Sequence, residues 1–163
     1  MSIKTPDAAF RPACVEHAGG FRLDLPPEQA IALFTAPGER LWVPGWNPTL
    51  LSGDGTAAGT VFVTPEGPHT TIWVVVDYDP QAFRARYSRT TPGIKAGTVG
   101  VEVRADGEGG SEVRVTYALT ALSEDGNREL AAFDAARYSQ MMKEWQQLIR
   151  DATAERRPGA PLP

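Results

Sequence analysis

Five polar side chains stand where their chemistry could converge on one ligand: Tyr87, Arg89, Tyr117, Asp134 and Tyr138. Tyr87 and Arg89 are two residues apart in an extended stretch, so a strand points both to one face. Asp134 and Tyr138 are four apart in a helical stretch and lie one turn from each other. A buried phenol needs a hydrogen-bond partner, and a buried charge needs a counter-charge. As a group, the five could orient the polar end of an otherwise apolar molecule. The competing reading is structural. In it, Arg89 pairs with Asp134 or with a surface carboxylate, and the tyrosines bond backbone.

Other groups extend the set. Trp42 and Trp46 flank Pro44-Gly45 and read either as an aromatic lid or as a plug at the end of the core. Met141, Met142 and Trp145 suit an adaptable cavity wall, and core packing gives the same pattern. Cys14 and His17 are three apart on a candidate strand. They should face opposite ways, which argues against a shared metal. His69 lies in the turn-like run Pro65-Glu66-Gly67-Pro68-His69. No cofactor is expected, because no His, Cys and carboxylate grouping has ligand spacing. Nothing near Cys14 suggests an activated thiolate, and no Gly-x-Ser-x-Gly elbow accompanies the strand hydroxyls. The glycine-rich run Gly53–Thr60 lacks the Gly-Lys-Ser/Thr ending of a phosphate loop and reads as a connection between strands. The candidate ligand-binding residues are therefore Trp42, Trp46, Tyr87, Arg89, Tyr117, Asp134, Tyr138, Met141 and Trp145, with no catalytic residue and no metal ligand among them.

The elements that must position them can be read from periodicity. The 163 residues fit one domain, expected over 13–155, with an N-terminal arm at 1–12 and a Pro-rich, disordered tail at 156–163. A net charge of −4 gives no general pull toward nucleic acid or anionic lipid. One cysteine leaves no internal disulfide, and neither an apolar leader nor a membrane-length stretch is visible. A soluble, cytoplasmic protein is expected. Val15–Leu25 alternates as a first strand. Pro27 opens a short helix, Pro37-Gly38 interrupts it, and Glu39–Trp42 makes a second turn of helix. Six strands follow: 49–52, 60–64, 70–78, 82–90, 99–105 and 112–122. Leu130, Phe133, Met141, Trp145, Leu148, Ile149 and Ala152 recur at steps of three and four, with Arg137 and Tyr138 at the place in the row where another apolar residue is due, predicting one long helix over about 127–155. This is an α+β arrangement: a curling antiparallel meander closed on its concave side by a helix. An even turn at Asp79-Pro80 would put Val76/Phe83, Val74/Ala85 and Ile72/Tyr87 inward, and Trp73/Arg86 and Val75/Arg84 outward. An odd one would reverse this. Val99, Val101, Val103, Val113, Val115, Tyr117 and Leu119 should face inward.

Two segments carry a family resemblance. The run from Ser52-Gly53-Asp54-Gly55 to Gly59-Thr60-Val61 resembles the glycine-rich loop of birch-pollen-allergen-type proteins. Arg40-Leu41-Trp42-Val43-Pro44-Gly45-Trp46-Asn47-Pro48 resembles the aromatic, Pro-rich segment that follows the second helix in bacterial relatives of those proteins. With the element order, the chain over about 15–153 resembles the START-like, or SRPBCC, superfamily, which includes polyketide cyclases, dehydrases and lipid-transport domains. The resemblance implies a helix-grip fold with a six- to seven-stranded sheet and a hydrophobic cavity between the sheet and the C-terminal helix.

Three functions follow as expectations. The first is binding or transport of a small hydrophobic molecule such as a lipid, polyketide or aromatic metabolite. An empty apolar cavity of 300 Å³ would cost on the order of 7 kcal/mol, so the pocket should be narrow, filled or wet. The second is a cyclase or dehydratase using Asp134, Tyr138 and Arg89; a raised carboxylate pKa in the cavity would favour it, and an exposed Asp134 would oppose it. The third is a protein-interaction module or homodimer using the outer sheet face, with Trp73 flanked by Arg84 and Arg86. No nucleic acid and no membrane insertion are expected.

Overall fold

The computed structural model describes residues 9–154; the tail at 156–163 and most of the arm at 1–12 lie outside them. In β1 (Cys14–Leu23), Phe21 and Leu23 point to the core. α1 (Pro27–Ala32) begins on Pro27, whose missing N–H has no helical partner to lose. α2 (Ala36–Glu39) is capped by the Thr35 hydroxyl, which accepts from the Gly38 N–H at 3.0 Å. Pro37-Gly38, read from sequence as a break, instead lies inside α2. Pro37 is tolerated in the first turn, and a Cβ on Gly38 would fall 2.0 Å from the Ala32 carbonyl oxygen.

β2 (Thr49–Ser52), β3 (Val61–Glu66), β4 (His69–Asp79), β5 (Arg84–Thr91), β6 (Lys95–Ala105) and β7 (Ser111–Ala121) follow. They form one antiparallel sheet of seven strands in the order β1-β7-β6-β5-β4-β3-β2. The last six strands are a meander, and β1 joins it beside β7. The valines of β6 and the inner residues of β7 alternate into the core as their spacing predicts.

β4 is turned over relative to the even-turn expectation. Ile72 pairs with Thr90, Trp73 with Arg89 and Val75 with Tyr87, and a bulge between Val75 and Asp77 shifts the register again. The offset from the assumed pairing is three residues at Ile72. An odd offset moves the β4 side chains before the bulge to the other face while β5 keeps its own; beyond the bulge Tyr78 pairs with the buried Ala85. Trp73 and Val75 therefore face inward. Val75 is 1% exposed and Val76 is 49% exposed.

The expected single C-terminal helix is two. α3 (Glu124–Ala132) stops at Phe133, whose φ of −91° and ψ of 58° leave the helical region. α4 (Ala135–Ala154) restarts behind Asp134, whose side chain accepts the Arg137 N–H at 2.8 Å. His17 Nε2 meets the Phe133 carbonyl oxygen at 2.7 Å, so the carbonyl released by the break has a partner. α3 packs on β7 and α4 on β1. Gly19 lets α4 approach: a Cβ there would lie 3.1 Å from the Tyr138 ring.

Candidate functional site

A partly open chamber of about 140 Å³ lies between the concave face of the sheet and the helices. Phe62 of β3, Trp73 of β4, Tyr87 and Arg89 of β5, Val99 and Val101 of β6 and Tyr117 of β7 form its floor. Phe34, Glu39, Trp42 and Trp46, from α2 and its flanks, and Trp145 of α4 close it. The aromatic rings brace one another. Trp42 meets Trp145 edge-on at 5.3 Å, Trp46 meets Trp73 edge-on at 6.1 Å, and Phe62 stacks on Trp73 at 5.8 Å.

Most polar tips of these rings are tied to the fold. Trp42 donates to the Leu33 carbonyl at 2.8 Å, Trp46 to the Ala36 carbonyl at 2.9 Å and Trp73 to the Thr64 hydroxyl at 2.9 Å. The Tyr87 hydroxyl donates to the Phe34 carbonyl at 2.6 Å. The chamber is thus offered mainly ring faces and edges, together with the Tyr117 hydroxyl and the buried Arg89 Nε–H, which has no partner among the described residues.

Beyond Arg89 and Tyr117 the chamber meets an outer groove of about 390 Å³, since those two residues line both. Leu119, Leu130, Phe133 and Met141 supply its apolar walls; Glu66, Lys95, Glu129 and Arg137 line it as well. Arg89 donates to Glu66 at 2.9 Å and sits 5.0 Å from the Trp73 ring centre. Lys95 bridges Glu66 at 3.1 Å and Glu129 at 2.8 Å. Burial pushes the Glu66 carboxyl up, but the Thr71 hydroxyl and the charges of Arg89 and Lys95 outweigh it and hold the pKa at about 2. Arg89 therefore has a carboxylate partner, as the structural reading expected, but that partner is Glu66.

Six candidates meet at the chamber: Trp42, Trp46, Tyr87, Arg89, Tyr117 and Trp145. Met141 lines the groove. Two candidates do not join them. Asp134 is exposed and caps α4, so it neither pairs with Arg89 nor enters the cavity. Tyr138 is buried, but its hydroxyl donates to the Val115 carbonyl and its ring stacks on His17 at 5.1 Å. Cys14 and His17 do face opposite ways, with Cys14 exposed on the outside.

Glu39 was missed. Its carboxyl lines the chamber and makes no hydrogen bond or ion pair among the described residues; burial alone lifts its pKa to about 8. A signal existed. Glu39, Trp42, Val43 and Trp46 stand at offsets of three, four and seven, which is one helical face. Trp73 was misplaced by the register of β4, and Glu66 was passed over as part of a turn.

The family model described as polyketide cyclase / dehydrase and lipid transport matches residues 19–152. No curated protein matches. Among solved structures, norcoclaurine synthase from Thalictrum flavum is similar at 12% identity and a TM-score of 0.60, covering 91% of this chain and 95% of that one. Ara h 8.0201 is similar at 13% identity and a TM-score of 0.60, covering 86% and 99%. A protein from Thermobifida fusca is similar at 20% identity and a TM-score of 0.55, covering 72% and 79%. At these identities the likeness is one of fold, and the fold is helix-grip. No helix among the described residues is long and apolar enough to cross a membrane.

Proposed function

The chain belongs to the polyketide cyclase / dehydrase and lipid transport family, and from that premise we propose that it binds a small hydrophobic molecule, about one aromatic ring in size, in the inner chamber. The observation that carries this is the partly open, aromatic-lined space of about 140 Å³. A dry apolar cavity of roughly 150 Å³ is enough to take up benzene. Left empty, such a space costs about 3 kcal/mol, which a domain tolerates. The size favours a ring or a short chain over a full lipid tail, with any longer substituent passing between Arg89 and Tyr117 into the groove.

Native mass spectrometry before and after organic extraction, followed by titration with indole and p-cresol, tests the reading. Loss of a bound mass, or saturable uptake by calorimetry that a filled-chamber variant such as Val101→Phe abolishes, supports it. No bound mass and no uptake overturn it. A catalytic role would need a proton donor in the chamber. Glu39 is the carboxyl there, and a pKa of about 8 suits proton exchange near neutral pH. The interaction-module reading loses its anchor, because Trp73 faces the chamber.

A further inference from the structure

Glu39 is unused by the fold and by the binding of an apolar ring. The indole N–H groups of Trp42, Trp46 and Trp73 and the Tyr87 hydroxyl all have protein partners. Arg89 Nη2 is held by Glu66, and the Arg89 Nε–H is buried without a partner among the described residues. The Glu39 carboxyl faces the same space with none among the described residues. Ring faces attract a cation through their quadrupoles, and the half-buried Glu39 carboxyl lacks a counter-charge. Both features ask for positive charge in the guest.

We propose that the inner chamber selects a small cationic guest, a ring-sized molecule bearing an ammonium group that pairs with Glu39 while its ring lies among Trp42, Trp46 and Trp73. This rests on the chamber-binding reading above and names the class of molecule that site takes. Arg89 does not supply the missing charge. Its ion pair is with Glu66, and no hydrogen bond or ion pair joins it to Glu39 among the described residues.

The pairing is linked to pH. The other ionisable groups facing the chamber are Tyr87 and Arg89 on β5 and Tyr117 on β7; β3, β4, β6 and α4 present Phe62, Trp73, Val99, Val101 and Trp145. Arg40, next in the chain, is exposed and donates to the Pro48 carbonyl. Burial pushes Tyr117 up to about 12 and Tyr87 higher still, so among the carboxyl and phenol groups of this set Glu39 alone titrates between pH 6 and 8. Binding an ammonium at pH 7 expels the carboxyl proton to the buffer and leaves a carboxylate–ammonium pair.

The test compares benzylamine with benzyl alcohol by calorimetry at pH 6, 7 and 8, in two buffers of different ionisation enthalpy. Benzylamine remains protonated throughout. Its affinity should rise about fifty-fold from pH 6 to pH 8 as Glu39 ionises, with release of nearly one proton at pH 7. Benzyl alcohol should bind without that rise. Glu39→Gln should abolish the rise and the proton release while keeping the alcohol. Equal affinity for both ligands, or an amine affinity flat with pH or unchanged in Glu39→Gln, overturns the inference and leaves chamber binding standing. Binding of neither ligand overturns chamber binding itself and the inference with it.

Discussion

Replacing Glu39 by Gln in the ligand-free protein should leave stability nearly unchanged in acid and raise it in alkali. The carboxyl has lost water without gaining a partner, and burial lifts its pKa from 4.5 to about 8. The folded chain therefore keeps a proton that the unfolded chain releases between those values. Stability falls as pH rises through 4.5 towards 8 and levels off above. At 1.36 kcal/mol per pKa unit the full loss by pH 9 is about 5 kcal/mol. That figure is an upper bound, because the carboxyl still faces a chamber that can admit water. Even half of it is a large share of the roughly 5–15 kcal/mol that holds a domain folded. Gln keeps the shape and cannot ionise. Urea unfolding followed by tryptophan fluorescence at pH 5, 7 and 9 reads the effect. The two proteins should agree within about 1 kcal/mol at pH 5, and the variant should be more stable by at least about 2 kcal/mol at pH 9. Parallel pH profiles would refute the reasoning, since they would mean that the carboxyl is solvated or paired in the folded state.

Glu66 acts in the opposite sense: with its pKa held at about 2, its contribution is complete above pH 4.5 and is lost as pH falls towards 2. Glu66→Gln should cost about 1–2 kcal/mol at pH 7, discounted for solvent screening, and flatten the acid limb of the unfolding profile. Tyr138→Phe removes a hydrogen bond to the Val115 carbonyl outside the chamber. It should lower stability by about 1 kcal/mol in urea and leave ring binding untouched. Asp134→Ala deletes the cap of α4 and should cost about 1 kcal/mol, again with no change in ligand affinity by titration.

The sequence made the class of fold legible because its signals are periodic. Alternation in β6 and β7 and the three-and-four rhythm after Leu130 survive in the structure. What failed depended on single residues. The apolar rhythm runs through Phe133 without a gap, yet Asp134 is a good N-cap residue, and reading it as an acid for chemistry hid its role in restarting a helix. The inner face of β4 turned on the length of one loop, and Ile72, Val74 and Val76 are as apolar as Trp73 and Val75, so composition could not choose between faces. Trp42, Trp46, Tyr87 and Trp145 were found because large aromatics near a predicted concavity tend to line it. Glu39 was not, because a lone carboxyl in a short helix ordinarily points to water, and only tertiary packing removes that water.

The joint at Phe133 gives the groove a helical side of its own. Residues 129–141 form that side and none of them lines the chamber, while the sheet side, Glu66, Arg89, Lys95, Tyr117 and Leu119, shares Arg89 and Tyr117 with the chamber wall. With α3 seated on β7 and α4 on β1, the two halves of the helical side are anchored separately. Substitutions on the helical side can then alter which molecules enter, and how fast, without remodelling the seat that holds them, so admission and retention are free to diverge independently.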